Sequence, residues 1–442
     1  MKQIKIFLFM LIGCFWLTSC GNEEDLHLSD NGLADSQPQS TVISLEEAER
    51  ELISILNELY NPLTRGDEGQ IRRIGNAYSR PIGNKATRSS EDEEILIHII
   101  NFEDEQGFAI MAGDIRLPSL IALAETGSLN EDEPIDNPGL EIFMDGLNDW
   151  TITRPPGWGG GSGGLLPPDV DVTPGLGEGV DVYYIYGNWE NSKVYCPNGL
   201  CSVKWGQGDP YNLYTPTENS YHCVTGCVAT ALAQFMALNR YPNSYNGYSF
   251  DWAQMTAKPN AKDCSTSAKQ NVARLMQQLG LSENLSMNYG LDSSSASGEN
   301  ITRTLKNFGY SKPGLRSDYN TDGVVEELKQ GYAVIIEGYR INENNTYKGH
   351  EWLAHGLLER QRAVKAYARE GGYLYTKYEY QWYTLCNWGW DGSQDGYYLS
   401  GVFDTTSGPI YGDDLNSPDP DVTGGPKRNY KYLLKAQTGI RK

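Results

Sequence analysis

The sequence predicts an α+β protein with two folded units. The chain has 442 residues, more than one hydrophobic core usually supports, so two units with connecting segments are expected. Its 48 Gly, 21 Pro and 29 Tyr are typical of a globular protein rich in loops and strands. Helix-type and strand-type patterns occur in both halves of the chain, which favours the α+β class.

The smaller unit is predicted over residues 43–155. Ser44 and Glu47 have the spacing of a capping box, so a helix is expected to begin here. Apolar residues then recur at helical spacing, at Leu52, Ile53, Leu56 and Leu59. Two short apolar runs follow, Ile95–Phe102 and Gly107–Met111, and they predict a pair of strands.

The charge of the chain excludes one class of function. The formal net charge is −21, and the sequence offers no cluster of Lys and Arg that could form a phosphate-binding surface. No nucleic-acid partner is therefore expected.

The first residues are predicted to direct export. Residues 1–19 read as a processing signal, because Lys2 and Lys5 are followed by an apolar run. Leu17, Thr18, Ser19 and Cys20 resemble the bacterial lipobox, which implies cleavage before Cys20, lipid attachment to its sulfur and anchoring in the cell envelope, at the outer membrane. An ordinary secretory signal and a short membrane anchor are the alternatives. Residues 20–42 are polar and predict a tether.

The remaining cysteines lie in a chain that is expected to leave the cytosol, where disulfides persist. Cys196 and Cys201 bracket turn-forming residues, so they could close a small disulfide loop or remain two free thiols. A zinc site is less favoured, because no second Cys or His pair follows at ligand spacing. The pairing of the other cysteines stays open; they are Cys223, Cys264 and Cys386.

The larger unit is predicted over residues 181–442. Residues 156–180 are rich in Gly and Pro and show no periodicity, which predicts an exposed linker that is open to proteolysis.

A candidate nucleophile lies in the larger unit, at Cys227. Gly226 precedes a run rich in Ala and Leu, and Pro242 ends it, so a helix is expected to start at Cys227. Unpaired N–H groups and the helix dipole would lower the thiol pKa and could hold an oxyanion. A buried structural cysteine is the alternative. His222 and Cys223 form a second His-Cys pair, but no such helix follows Cys223.

A thiol nucleophile needs a base, and His350 is the strongest candidate. It follows the strand-like segment Ala333–Arg340 and a polar turn, so it could lie at the start of the next strand, across a cleft from Cys227. The alternative is a histidine that caps a strand. His355 lies five residues after His350, a spacing that does not place both rings on one helix face and so disfavours a metalloprotease.

Two further segments contain candidate site residues. Gln207 lies in a turn-rich loop, where its amide could donate to an oxyanion, although a surface Gln is the simpler interpretation. Asn387 and Trp388 lie beside two glycines in an aromatic segment that could line a cleft or belong to the core.

Several of these segments resemble the streptopain family of papain-like cysteine peptidases. Four segments show this resemblance: the run GCVATALAQFM from Gly226, the Gly349-His350 pair with its apolar continuation, Asn-Trp-Gly-Trp from Asn387, and Trp-Gly-Gln ending at Gln207. The run from Gly107 resembles the family's propeptide. The order Gln, Cys, His, Asn is that of a papain-like fold.

The resemblance implies a catalytic domain with a helical half that carries Cys227 and a twisted antiparallel sheet that carries His350 and Asn387. It implies a secreted endopeptidase made as a zymogen, whose propeptide blocks the cleft as an intramolecular inhibitor. Asn387 would orient the imidazole, Trp388 would shield it from water, and Gln207 would bind the oxyanion. Protein or peptide substrates are expected, and neither a cofactor nor a metal.

The histidine segment departs from the family at two positions. Glu351 replaces a small residue, and His355 stands where the family usually has Asp. Both changes put local packing in doubt. An inactive peptide- or glycan-binding lipoprotein and an acyl transferase with the same dyad are the rival functions.

Overall fold

The computed structural model describes nine segments of the chain, and all of them belong to the compact unit formed by Ser40–Gly160 with Leu165–Lys442. The described segments are residues 42–60, 72–82, 96–114, 117–148, 182–196, 199–341, 347–368, 372–403 and 432–442. The predicted signal and linker, and residues 20–41 of the predicted tether, lie outside them. Within these ranges, no helix is both long and apolar enough to cross a membrane.

The described residues form seven α-helices and sixteen strands. The helices are α1 Leu45–Leu59, α2 Pro138–Asn148, α3 Cys227–Asn239, α4 Trp252–Met255, α5 Thr266–Gly280, α6 Asn300–Asn307 and α7 Thr321–Lys329. The strands are β1 Ile74–Pro81, β2 Leu96–Phe102, β3 Phe108–Ala112, β4 Leu120–Ala124, β5 Val182–Tyr186, β6 Glu190–Tyr195, β7 Thr217–Glu218, β8 Tyr221–His222, β9 Ser244–Tyr245, β10 Tyr248–Ser249, β11 Lys312–Asp318, β12 Val334–Ile341, β13 Tyr347–Ala368, β14 Tyr373–Asn387, β15 Gly396–Leu399 and β16 Tyr432–Arg441.

The N-terminal unit begins with α1, as the sequence predicts. Ser44 caps the helix, and the Glu47 carboxylate accepts a hydrogen bond from the Ser44 backbone N–H, which completes the capping box. The predicted apolar face is wrong at one position, because Ile53 is exposed and Ile55 is buried instead. The predicted strand pair is confirmed, since β2 and β3 are antiparallel neighbours.

One large sheet spans both units. Its strand order is β1-β2-β3-β4-β15-β14-β13-β12-β16-β11, and β5 and β6 also pair with β13. The N-terminal strand β4 pairs antiparallel with β15, with Leu123 opposite Tyr397. The N-terminal unit is therefore joined to the larger unit by backbone hydrogen bonds.

Two cores cover the two faces of this sheet. One core contains α3 and Leu353, whereas the other contains residues of the N-terminal unit together with Trp352. Because successive side chains of a strand point to opposite faces, Trp352 and Leu353 mark the two sides of β13. The predicted α+β class, with a helical part and a large antiparallel sheet, is confirmed.

Candidate active site

Cys227 is the first residue of α3, where the sequence predicts it. Gly226 is the N-cap of the helix with φ 86°, and no side-chain hydrogen bond caps the helix there. A Cβ at Gly226 would lie 2.9 Å from the Ser294 carbonyl oxygen, so glycine is required for both backbone angle and space. Unpaired N–H groups at a helix start can bind an oxyanion.

The surroundings of Cys227 favour the thiol over the thiolate. Burial and then the nearby Glu351 carboxyl raise the pKa of Cys227 to about 12, and backbone N–H groups oppose the shift. The Glu351 Oε2 atom lies 4.0 Å from the Cys227 sulfur. The sequence predicts a lowered thiol pKa from the helix N-terminus, but here burial and a carboxyl outweigh that effect.

His350 lies on β13, but its ring is engaged elsewhere. The ring is buried, and its Nε2 donates to the Trp388 carbonyl oxygen at 2.7 Å. It stacks on Trp352 with ring centroids 6.2 Å apart. Burial lowers the pKa of His350 to about 4, so the imidazole is neutral.

Cys227 and His350 are not brought together in this state. Across the described residues, no hydrogen bond connects them: the sulfur faces Glu351, and the imidazole faces Trp388. The alternation of β13 accounts for this, since His350 points to the side of Trp352 and Glu351 to the opposite side, towards α3.

The Asn387 amide makes three hydrogen bonds, none of them with His350. Its Oδ1 accepts from Gln234 Nε2 at 2.9 Å and from the Gly389 N–H, and its Nδ2 donates to the Val203 carbonyl. The predicted contact between Asn387 and the imidazole is therefore absent here. Sequence reasoning missed Gln234, although a Gln in an apolar helix is a recognisable signal of a buried hydrogen bond.

Trp388 connects His350 to the N-terminal unit. The indole is fully buried, and its Nε1 donates to the Gln394 carbonyl at 2.9 Å. Gly139 of α2 packs so closely that a Cβ there would lie 2.2 Å from the indole ring. Trp388, whose carbonyl oxygen accepts from His350, is thus packed directly against α2.

Further hydrogen bonds tie the N-terminal unit to the loop after Trp388. Thr126 Oγ1 donates to the Gly392 carbonyl at 2.6 Å, and Asn137 Nδ2 donates to the Ser393 carbonyl at 3.1 Å. These two hydrogen bonds hold the loop that follows Trp388, the residue whose carbonyl oxygen accepts from His350.

Gln207 lies in the loop that precedes α3, and its carbonyl oxygen accepts from the Thr225 N–H at 3.0 Å. The hydrogen bond fixes the Gln207 backbone close to the start of α3. No hydrogen bond of the Gln207 side chain occurs among the described residues, so its predicted oxyanion role stays a prediction.

His355 shows why a histidine fits where the family has Asp. Its Nδ1 accepts from the Cys201 N–H at 3.2 Å, and the ring lies against Gly199. Burial and then Lys204 lower the pKa of His355 to about 3, so the ring stays neutral. A neutral imidazole nitrogen can thus accept the backbone hydrogen bond that a carboxylate oxygen would accept.

The described cysteines are free thiols, so Cys196 and Cys201 are two thiols and not a disulfide in this structure. Within the described segments, no cluster of His, Cys, Asp and Glu side chains could hold a metal ion.

Two family models match the chain. The model described as the Peptidase C10 family matches residues 205–398, and the model described as the Spi protease inhibitor matches residues 43–149. The first range contains all five predicted site residues, and the second covers α1 to α2.

The chain is also similar to individual proteins. It is 28% identical to streptopain of Streptococcus pyogenes over 282 residues, which cover 54% of this chain and 60% of streptopain. It is 25% identical to the thiol protease/hemagglutinin PrtT of Porphyromonas gingivalis over 201 residues, or 42% of this chain and 21% of that protein. The chain thus spans less than two thirds of these relatives.

Two solved structures from Prevotella intermedia are similar as well. A fragment of prointerpain A is 18% identical with a TM-score of 0.49, covering 83% of this chain and 100% of the fragment. Active interpain A is 22% identical with a TM-score of 0.38, covering 56% of this chain and 95% of that one.

An inhibitor-type N-terminal unit thus precedes a peptidase-type unit with a cysteine at a helix start. Residues 205–398 of the chain thus match the C10 family of cysteine peptidases, and the chain is similar to streptopain.

Proposed function

We propose that this chain is the latent form of a cysteine endopeptidase that uses Cys227 as nucleophile and His350 as general base. The supporting observation is the placement of Cys227 at the start of α3, a helix whose core also contains Leu353 of β13, the strand that carries His350. A thiol at a helix start and an imidazole on the neighbouring strand are the two groups that acyl transfer requires.

The chemistry follows from these groups once they meet. The imidazole takes the thiol proton, and the thiolate attacks the peptide carbonyl carbon. The N–H groups of the first α3 turn stabilise the oxyanion, together with the Gln207 amide. His350 then gives its proton to the leaving amine, and water hydrolyses the thioester.

The N-terminal unit acts as an intramolecular inhibitor in this proposal. It packs on Trp388 through α2, and the Trp388 carbonyl binds His350 Nε2. While that contact lasts, the ring is held towards Trp388, and no hydrogen bond joins it to Cys227 among the described residues. Cleavage in residues 156–180 followed by departure of the N-terminal unit would free the imidazole.

The finer parts of the proposal rest on the sequence. Protein or peptide substrates follow from the match to the C10 family, and lipid attachment at Cys20 follows from the lipobox-like residues. The inactive binding protein is the less favoured alternative, because both groups of the dyad are present.

Paired variants test the proposal. We expect Cys227→Ala and His350→Ala, each cleaved in the linker by an added protease and freed of the N-terminal unit, to lose peptide hydrolysis by at least about a thousandfold. The neighbouring pair supplies matched controls, because Cys223→Ala and His222→Ala change the same residue types off the site.

Full activity of Cys227→Ala after cleavage would exclude the proposed nucleophile. A thiol-directed inhibitor separates the peptidase from the inactive binder, because only the peptidase loses hydrolysis when Cys227 is labelled. Rapid labelling that also depends on His350 is expected after cleavage.

A further inference from the structure

Two buried glutamates face each other next to Cys227. Glu337 on β12 and Glu351 on β13 are direct register partners, and they are 4% and 2% exposed. Like charges at opposed positions of an antiparallel pair destabilise the sheet. Two ionised carboxylates are therefore unfavourable at this place.

The surrounding charges compensate only one of the two carboxyls. Arg316 of β11 donates to Glu337 Oε2 at 2.5 Å. Lys435 of β16 lies opposite Glu337 in register, but it pairs with Asp318. One cation thus neutralises Glu337, and Glu351 has no cation of its own among the described residues.

The other groups around the pair do not supply a charge for Glu351. The other titratable or charged groups near the pair, from β11, β12, β16, α3 and the residue before α6, are Arg316, Asp318, Tyr339, Lys435, Cys227 and Glu299, whereas His350 points to the opposite face of β13. Burial and then the Glu337 charge raise the pKa of Glu351 well above its ordinary value, against Arg316. Arg316 forms its salt bridge with Glu337, whereas the raised pKa of Glu351 makes Glu351 the member of the pair that keeps a proton.

The Glu351 carboxyl faces the thiol rather than a structural partner. Its Oε2 lies 4.0 Å from the Cys227 sulfur, and its Oε1 is buried without a hydrogen-bond partner. A buried polar atom without a partner destabilises the fold, so a purely structural glutamate is unfavourable here. A protonated carboxyl can donate to a thiolate, whereas a carboxylate repels one.

We propose that Glu351 is a positioning residue that controls the Cys227 thiol: its protonated carboxyl stabilises the thiolate, and its ionised carboxylate opposes it. Glu337 keeps the proton on Glu351 by occupying Arg316. The role in catalysis rests on the proposed function, but the effect on the thiol does not.

The experiment measures alkylation of Cys227 by iodoacetamide in the full, uncut chain between about pH 6 and about pH 9, by mass spectrometry of the peptide that contains Cys227. In Glu351→Gln the side chain stays neutral and keeps a donor. We expect this variant to react as fast as the parent at the acidic end and about tenfold faster at the alkaline end, an effect of one pKa unit.

Two more variants make the outcome specific. Glu351→Ala removes the donor, so Cys227 should react more slowly than in Glu351→Gln across the whole pH range. Glu337→Gln frees Arg316 to stabilise an ionised Glu351, so it should slow alkylation near neutral pH, opposite in sign to Glu351→Gln. Glu359→Gln is the matched control, since this carboxyl lies on the same strand and pairs with Lys329.

A ratio of Glu351→Gln to parent rates that does not change with pH would overturn the inference, as would equal rates in Glu351→Gln and Glu351→Ala. If Glu351→Gln does not fold, the sign of the Glu337→Gln effect decides. Loss of the peptidase proposal looks different, because Cys227→Ala would then retain hydrolysis while the alkylation curves keep their pH dependence.

Discussion

At the residue scale, Gln234 connects three parts of the candidate active site. Its Oε1 accepts from the Trp205 N–H at 2.9 Å, and its Nε2 donates to Asn387 Oδ1 at 2.9 Å. The side chain is fully buried in α3. Removing it leaves the buried Trp205 N–H without its partner and takes away one of the two hydrogen bonds that Asn387 Oδ1 accepts.

We expect Gln234→Ala to lower the free energy of unfolding by about 3 kcal/mol, because each buried polar group left unpaired costs about 1–3 kcal/mol. Urea unfolding of the full chain, carrying Cys227→Ala so that it cannot cut itself, measures this change. Gln330→Ala is the control, since this exposed residue should change stability by less than about 0.5 kcal/mol. Equal effects of the two substitutions would contradict the role of Gln234.

The position of Cys227 could be predicted from sequence, whereas its protonation could not. Gly226 and the Ala-rich run predict a helix start at Cys227, and the structure has it there. The thiol pKa depends on burial and then on Glu351, which lies far along the chain and reaches Cys227 only through the packing of β13 on α3. Nothing in the local sequence reports such a contact.

The partner of His350 was not predictable for a related reason. The family resemblance implies a contact with Asn387, but the imidazole binds the carbonyl of the next residue, Trp388. If the imidazole has one partner in a latent state and another in an active state, a single sequence encodes both, so the sequence pattern does not tell which partner a given structure shows. The imidazole position in the latent state is set by tertiary contacts.

At the scale of elements, the contact of α2 with Trp388 depends on one missing methyl group. A Cβ at Gly139 would lie 2.2 Å from the indole ring, which is much closer than van der Waals contact. Alanine is intrinsically a better helix residue than glycine by about 1 kcal/mol. Any loss of stability on substitution must therefore come from the contact.

We expect Gly139→Ala to lower the free energy of unfolding of the full chain by about 1–3 kcal/mol, the cost of overpacking a core. Gly146→Ala in the same helix is the control, because its Cβ would lie 3.3 Å from a Val402 methyl group, a contact that a small shift relieves. Denaturant unfolding compares the two in the Cys227→Ala background. A more stable Gly139→Ala would show that α2 does not press on Trp388.

Local chemistry made α1 and α3 predictable, because Ser44 with Glu47 and Gly226 mark their starts. The pairing of β4 with β15 joins segments separated by more than two hundred residues of chain, and neither strand contains a signal for its partner. The prediction that Ile53 lies on the buried face of α1 is wrong for a simpler reason. The helical period places it near the edge of the apolar face, where packing alone decides which side chain is buried.

At the scale of the whole molecule, Asp395 couples stability to pH. It is buried; its Oδ1 accepts from the Trp388 N–H at 2.9 Å, and its backbone oxygen accepts from the Glu125 N–H of the N-terminal unit at 2.7 Å. Burial raises the pKa of Asp395 to about 7, against Lys204 and the Trp388 hydrogen bond. The folded chain thus holds this proton at a pH where the unfolded chain has lost it.

The sign of the effect follows from proton binding. Between the unfolded pKa near 4 and the folded pKa near 7, the folded state binds more protons, so stability falls as pH rises through this window. In Asp395→Asn the acceptor oxygen remains but the proton does not titrate. The unfolding free energy of the parent should therefore fall relative to that of Asp395→Asn as pH rises from about 4 to about 7.

Urea unfolding across this pH range tests the expectation, again with Cys227→Ala in every chain. Asp132→Asn is the control, because this carboxyl is exposed and its removal should leave the curve parallel to that of the parent. Parallel curves for Asp395→Asn as well would mean that Asp395 does not carry its proton in the folded chain.

The backbone pairing of β4 with β15 has a consequence for the timing of enzyme activity. A strand that completes a sheet stays hydrogen-bonded when the chain is cut elsewhere, so proteolysis of the connection leaves a bound fragment. The cut changes an intramolecular equilibrium into a bimolecular one, which depends on concentration. At high protein concentration the cut chain would stay inhibited by its bound fragment, and dilution would release the fragment and allow activity.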